Sequence, residues 1–207
     1  KNKKIIIIED NCESLGSKLK NKYLGTFGDY GTFSFYYSHQ ITSGEGGMVV
    51  CNKKEDYDIL FALRSHGWLG GTRFYKRSLK LYNNYALKNP ELDPRYIFIN
   101  SGFNLRPTDI QAAIGHNQFK RLDRLKKLRN INRNLIIEKI LKSKKWNNQF
   151  QFIAVPKSIE PSWMGLPILL SEKYKNKKQK FVNLLDNHGI ETRPIISGNF
   201  ANQPAAK

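Results

Sequence analysis

Only two cysteines, Cys12 and Cys51, occur among the 207 residues. Two thiols build neither a disulfide framework nor a four-thiolate metal site, so a reducing, cytoplasmic setting is expected. Long apolar runs are missing as well. Nothing approaches the roughly 20 residues needed to cross a bilayer. The apolar run after Lys1-Asn2-Lys3-Lys4 holds only Ile5, Ile6, Ile7 and Ile8, too few for a signal-peptide core, and it passes straight into Glu9-Asp10. That is the pattern of a buried strand feeding a polar strand end. Acidic side chains are scarce, 17 against 35 Lys and Arg, for a formal charge of +18. Such a surplus raises nucleic-acid binding, because clustered Lys and Arg neutralise phosphates. The lysines are instead dispersed between asparagines over expected helix surfaces (Lys120, Lys126, Lys139, Lys145, Lys175 and Lys180 among them), with no nucleic-acid-binding motif beside them. A Lys/Asn/Ile-rich chain is what an AT-rich genome produces, so neither a nucleic-acid nor a membrane partner is expected.

What is present suits a globular protein, with 40% hydrophobic and 12% aromatic residues. Strands are expected at 5–8, 31–36 and 47–51, the first reading as fully buried. A helix is expected over 55–65, with Ile59, Leu60 and Leu63 on one face and Glu55 and Asp56 in its first turn. Residues 67–100 read as a long loop, and loops of that length inside a domain are usually functional. Pro107 should open a helix capped at Leu105 or Arg106, with Thr108 and Asp109 in the first turn. A basic amphipathic helix follows at 122–141. Strands at 150–155 and 164–170, a helix at 173–188 closed by Gly189, and a last strand at 190–193 complete the pattern. Alternation of this kind predicts an α/β layered fold. The chain lacks an initiator Met and its first strand has no upstream partner, so an internal fragment is expected.

Two places carry the chemistry. Glu9-Asp10 ends a strand, and the carboxyl edge of an open α/β sheet is where ligands sit. A carboxylate there can hold a cationic ring nitrogen; equally, Asp10 can cap a short helix with Glu13 in its first turn. Further on, a strand delivers Ser34, a polar loop delivers Ser38 and His39, and Gly44-Glu45-Gly46-Gly47 permits a reversal into another strand. Hydroxyls with backbone N–H groups can cradle phosphate, and an imidazole can move protons near neutral pH. The plain alternative is a hairpin-like loop with a surface histidine.

The order of these pieces is more specific than any one of them. Glu9-Asp10…Glu13…Gly16, Gly25-Thr26-Phe27-Gly28-Asp29, Phe33-Ser34-Phe35…Ser38-His39…Gly44-Glu45-Gly46-Gly47, Leu63-Arg64-Ser65-His66-Gly67, Gly102-Phe103-Asn104-Leu105-Arg106-Pro107-Thr108-Asp109-Ile110-Gln111 and Gly189-Ile190-Glu191-Thr192-Arg193-Pro194…Gly198-Asn199-Phe200 follow one another. Together they resemble the DegT/DnrJ/EryC1/StrS family of sugar aminotransferases and dehydratases. The resemblance implies an α/β type I fold of pyridoxal-phosphate-dependent transferases, like that of aspartate aminotransferase. Residues 1–123 would be the C-terminal portion of the large cofactor-binding domain and 124–207 the start of a truncated small domain. A chain lacking the rest of both domains is expected to be inactive alone.

Position by position, the resemblance implies that Asp10 pairs with the pyridine nitrogen and Glu13 meets the phenolic side of the ring. Ser34 would bind the phosphate, and Asn104 would reach the phosphate of a neighbouring subunit, implying a homodimer with shared sites. Arg193 and Asn199 would help shape the sugar-nucleotide site. His39 is the departure: the family's aminotransferases have lysine there, which attaches the cofactor and carries a proton to the sugar. An imidazole cannot attach it. The resemblance therefore narrows to 3-dehydratases acting on nucleotide-linked 4-keto-6-deoxyhexoses in deoxysugar and lipopolysaccharide synthesis. The working cofactor would be pyridoxal 5′-phosphate cycling to pyridoxamine 5′-phosphate, with glutamate as donor. The resemblance does not extend to the branch that adds an iron–sulfur cluster, whose cysteines have no counterpart in 67–100, so cluster chemistry is not expected. His66 is the first rival to His39, with a structural role favoured; His116 and His188 read as structural or solvated. The rival readings are an aminotransferase, which needs lysine at 39, and a descendant that binds cofactor or sugar nucleotide without turnover.

Overall fold

A computed structural model describes residues 5–69, 76–196 and 198–207. The chain divides into two compact units, Lys1–Asn130 with Lys157–Met164, and Ile131–Pro156 with Gly165–Lys207.

In the first unit, β1 (Ile8–Asp10) is followed by the short strands β2 (Lys18–Leu19) and β3 (Lys22–Tyr23), then β4 (Tyr30–Ser34) and β5 (Gly47–Cys51). The main sheet has the order β1-β4-β5. β1 runs parallel to β4, with Asp10 opposite Thr32, and β4 runs antiparallel to β5, with Ser34 opposite Gly47. β4 suits its place because Tyr30, Thr32 and Phe33 are aromatic or β-branched. Gly31 allows close passage of a second backbone: a Cβ there would lie 2.1 Å from the Gly25 carbonyl oxygen.

Four helices follow in sequence: α1 (Lys54–Leu63), α2 (Lys76–Lys88), α3 (Asp109–Phe119) and α4 (Leu122–Leu141). α3 starts at Asp109, two residues after the expected opening at Pro107. Thr108 is the cap, its hydroxyl accepting from the Gln111 N–H while the Gln111 side chain accepts from the Thr108 N–H. The core of this unit is Leu15, Ile41 and Leu122, with Phe33 and Phe35 packed against it. β7 (Ile159–Glu160) returns to this unit and pairs with β2.

Several expectations are corrected here. Ile5, Ile6, Ile7 and Ile8 are exposed rather than buried, because β1 has a neighbour on one side only among the described residues. The buried side of α1 centres on Asp58 and Ala62, while Ile59 is exposed. The 67–100 stretch contains the 13-residue helix α2 and a single 3-10 turn at Pro94–Tyr96. Its Gly70-Gly71 lies outside the described residues.

The second unit contains the antiparallel pair β6 (Phe150–Phe152) and β8 (Ile168–Leu170), with Trp146, Phe150, Phe152 and Phe181 forming an aromatic cluster. Both strands are shorter than their apolar runs. The helix at 173–188 is split: a 3-10 segment, Glu172–Lys177, precedes α5 (Lys178–Asn187). Gly189 follows with φ +72°, the left-handed turn that ends a helix. Residues 190–193 form no strand, having no partner to pair with among the described residues. No described helix is long and apolar enough to cross a membrane.

Candidate functional site

Because β1 and β4 are parallel, their carboxyl ends, Asp10 and Ser34, emerge on one edge of the sheet. β5 starts on that same edge, so the 35–46 connection carrying His39 rises from it. The two neighbouring acids at the end of β1 have separate jobs. Glu9 turns onto the 25–28 loop and accepts from the N–H groups of Gly25, Phe27 and Gly28 at 2.7, 2.5 and 2.6 Å. Burial raises its pKa, but those three donors outweigh burial and hold the carboxyl below its ordinary value. Glu9 is a fastener.

Asp10 is free of that duty. Its Oδ1 accepts from the Cys12 N–H at 3.1 Å, closing a tight turn in place of a helix cap. The Cys12 thiol and N–H, together with Thr32, hold its carboxyl below the ordinary value against a smaller opposing effect of burial. An ionised carboxylate therefore stands exposed at the strand end.

Ser34 Oγ accepts from the Tyr36 N–H at 3.3 Å, which leaves its own O–H available to donate. His39 is half-buried, its N–H bound to the Tyr36 carbonyl at 3.1 Å and its ring edge-on to Tyr36 with centroids 5.7 Å apart. Its Nδ1 is buried without a hydrogen-bond partner, as are Gln40 Oε1 and Ser162 Oγ. Buried polar atoms are usually paired, so the unpaired ring nitrogen of His39 calls for a partner. The loop that holds His39 and Gln40 is tied at several points. Thr42 Oγ1 donates to the Phe35 carbonyl, Ser43 Oγ donates to the Glu45 carbonyl, and Gln111 at the start of α3 donates to Glu45 as well. Glu13 is exposed, with its carbonyl accepting from the Gln40 amide.

Asn104 and His66 form a second group. Ser65 bridges Asn104, and the His66 N–H donates to Phe103 at 2.8 Å. His66 has φ +63° and is exposed; at the next residue a Cβ on Gly67 would lie 1.8 Å from the Asn100 carbonyl. Close backbone approach explains the glycine there. Arg193 and Asn199 belong to the second unit, where Arg193 pairs with Glu191 and Asn199 caps the Phe200–Asn202 turn. His188 Nδ1 lies 2.7 Å from the Leu184 carbonyl at the end of α5, and His116 sits exposed on α3. Sequence reasoning gave Gln40 no role. A buried amide in a polar loop leaves no periodic signal, and its bond to the Ser162 carbonyl reaches across 122 residues.

The family model for DegT/DnrJ/EryC1/StrS aminotransferases matches residues 1–207. The chain belongs to this family. Among its relatives is GDP-4-keto-6-deoxy-D-mannose 3-dehydratase of Escherichia coli O55:H7, 35% identical over 95% of this chain and 48% of that protein. GDP-perosamine synthase of Escherichia coli O157:H7 is 32% identical over 95% of this chain and 46% of its own length. A solved structure of GDP-4-keto-6-deoxymannose-3-dehydratase with a trapped PLP-glutamate geminal diamine superposes with a TM-score of 0.80 at 32% identity, covering 96% of this chain and 49% of that one. The chain thus spans about half the length of the DegT/DnrJ/EryC1/StrS relatives it matches.

Proposed function

We propose that this chain is part of a cytoplasmic, pyridoxal-phosphate-dependent 3-dehydratase that deoxygenates a nucleotide-linked 4-keto-6-deoxyhexose for deoxysugar and lipopolysaccharide synthesis. The observation that carries the reading is a histidine at position 39, with an unpartnered ring nitrogen, in the loop rising from the strand ends of Asp10 and Ser34.

The residues fit the cofactor. An ionised carboxylate at a strand end complements a protonated pyridine nitrogen, and the unpaired Nδ1 of His39 asks for a partner. When bound, the pyridoxal or pyridoxamine phosphate supplies an amine and a ring that accepts electrons. Asp10 keeps the ring nitrogen protonated. Ser34 donates its hydroxyl hydrogen to the phosphate, and Glu13 stands by the phenolic side. Asn104 serves the site of the second protomer in a homodimer.

His39 takes a proton and returns it at its free ring nitrogen, first as base and then as acid toward the departing C3 hydroxyl. It has no primary amine with which to attach the cofactor, which is therefore held by non-covalent contacts, and glutamate recharges it. One side chain then decides between loss of oxygen at C3 and gain of nitrogen at C4.

Substitution of His39 in the protein that carries this chain tests the assignment, with GDP-linked 4-keto-6-deoxymannose as substrate. His39→Asn should lower dehydration about 10²–10⁴-fold, the usual worth of a general base. His39→Lys should attach the cofactor covalently and abolish C3 elimination. Normal dehydration by His39→Asn would place the base elsewhere, His66 being the next residue to substitute.

A further inference from the structure

Gln40, the residue after His39, is 3% exposed, although the loop around it is polar. Its amide nitrogen donates to two main-chain carbonyls, Glu13 at 2.5 Å and Ser162 at 3.2 Å. One acceptor lies in the turn that follows Asp10, the other in the returning segment that carries Pro161-Ser162-Trp163. That segment is fastened in turn. The Ser162 N–H donates to Ser17 Oγ at 2.9 Å, and the Lys20 N–H donates to the Ser158 carbonyl at 2.8 Å. Arg129 and Asn130 of α4 donate to the Trp163 and Pro161 carbonyls, and Lys126 pairs with Glu160 at 2.5 Å. On the other side of Gln40, Ile41 is 4% exposed in the core with Leu15 and Leu122. The backbone just after the imidazole is therefore pinned by a buried amide and a buried aliphatic side chain in succession.

We propose that Gln40 is a positioning residue for His39: its amide clamps the His39 loop between the Glu13 turn and the Ser162 segment and so fixes the imidazole in one orientation. The proposal rests on the reading of His39 as the proton-transfer group. A side chain without donors would leave the buried Ser162 carbonyl and the part-buried Glu13 carbonyl unpaired, and the loop would shift to rehydrate them. Proton transfer tolerates such shifts poorly, since a displacement near 1 Å can cost about 10²-fold in rate. Cofactor contacts through Asp10 and Ser34 lie on the strands and should survive.

The test uses the protein that carries this chain, with Gln40→Met, of similar size but without a donor, and Ser17→Ala, which loosens the Ser162 segment without touching Gln40. KM should stay at its wild-type value while kcat falls about 10²-fold in Gln40→Met and less in Ser17→Ala. Cofactor affinity should fall far less than kcat, since Glu13 alone of the cofactor residues is released. Acylation of His39 by diethyl pyrocarbonate, located by peptide mass spectrometry against His188 as internal standard, should accelerate in both. Wild-type acylation and kcat in a folded Gln40→Met overturn the clamp. Should Gln40→Met fail to fold, an unchanged acylation rate in Ser17→Ala overturns it instead. Faster acylation in a protein whose wild type never eliminates the C3 oxygen leaves the clamp standing and removes the dehydratase reading.

Discussion

Asp10 and Glu9 are adjacent acids with opposite fates, and the difference is geometric. Alternation along β1 points one carboxylate at the 25–28 loop and leaves the other at the strand end. Asp10 is held below the ordinary carboxylate value, chiefly by the Cys12 thiol and N–H. A lowered pKa makes binding that needs the anion complete above the ordinary carboxylate range and lost only as pH falls through the depressed value. Cofactor affinity should therefore be flat through neutral pH and drop only in strong acid. Cys12→Ala should move that acid limb upward, toward the ordinary range. A spectrophotometric pH titration of cofactor binding in both proteins checks this, and superimposable acid limbs would remove Cys12 from the account.

At the scale of elements, the sheet edge depends on Glu9 keeping the 25–28 loop in place. Glu9→Gln removes the charge and offers only one acceptor oxygen to three N–H groups. A loss of about 0.5–1.5 kcal/mol is expected, the net worth of hydrogen bonds from donors that are only part-buried or exposed. Because the folded pKa is depressed, the wild-type advantage should be complete above the unfolded carboxylate pKa and vanish as pH falls through the folded value. Urea unfolding of both proteins across that range measures it, and equal stability at neutral pH would refute the role. β5 and α4 were legible from sequence to the residue, because a β-branched run and a long amphipathic stretch declare themselves. β2, β3 and β7 were not: pairs of two-residue strands have no period, and β7 pairs with a strand 140 residues away in register (Leu19 with Ile159). The 190–193 segment shows the reverse failure, an alternating stretch with β-branched Ile190 and Thr192 that finds no partner strand among the described residues.

At the scale of the molecule, the family was legible from ordered motifs, and the match over residues 1–207 bears it out. The Asp10, Ser34 and His39 positions lie on one sheet edge and its loop; Asn104 is bridged to Ser65, beside His66, in the same unit, and Arg193 and Asn199 belong to the second unit. The chain spans about half the length of its curated relatives, and in the protein that carries it an imidazole, not an amine, stands at position 39. The most direct test is borohydride reduction of that protein with pyridoxal phosphate bound, followed by intact and peptide mass spectrometry. No pyridoxyl group should remain on the polypeptide, while His39→Lys should retain one on residue 39. A reduced, covalent adduct on any lysine of the wild-type protein would contradict the account.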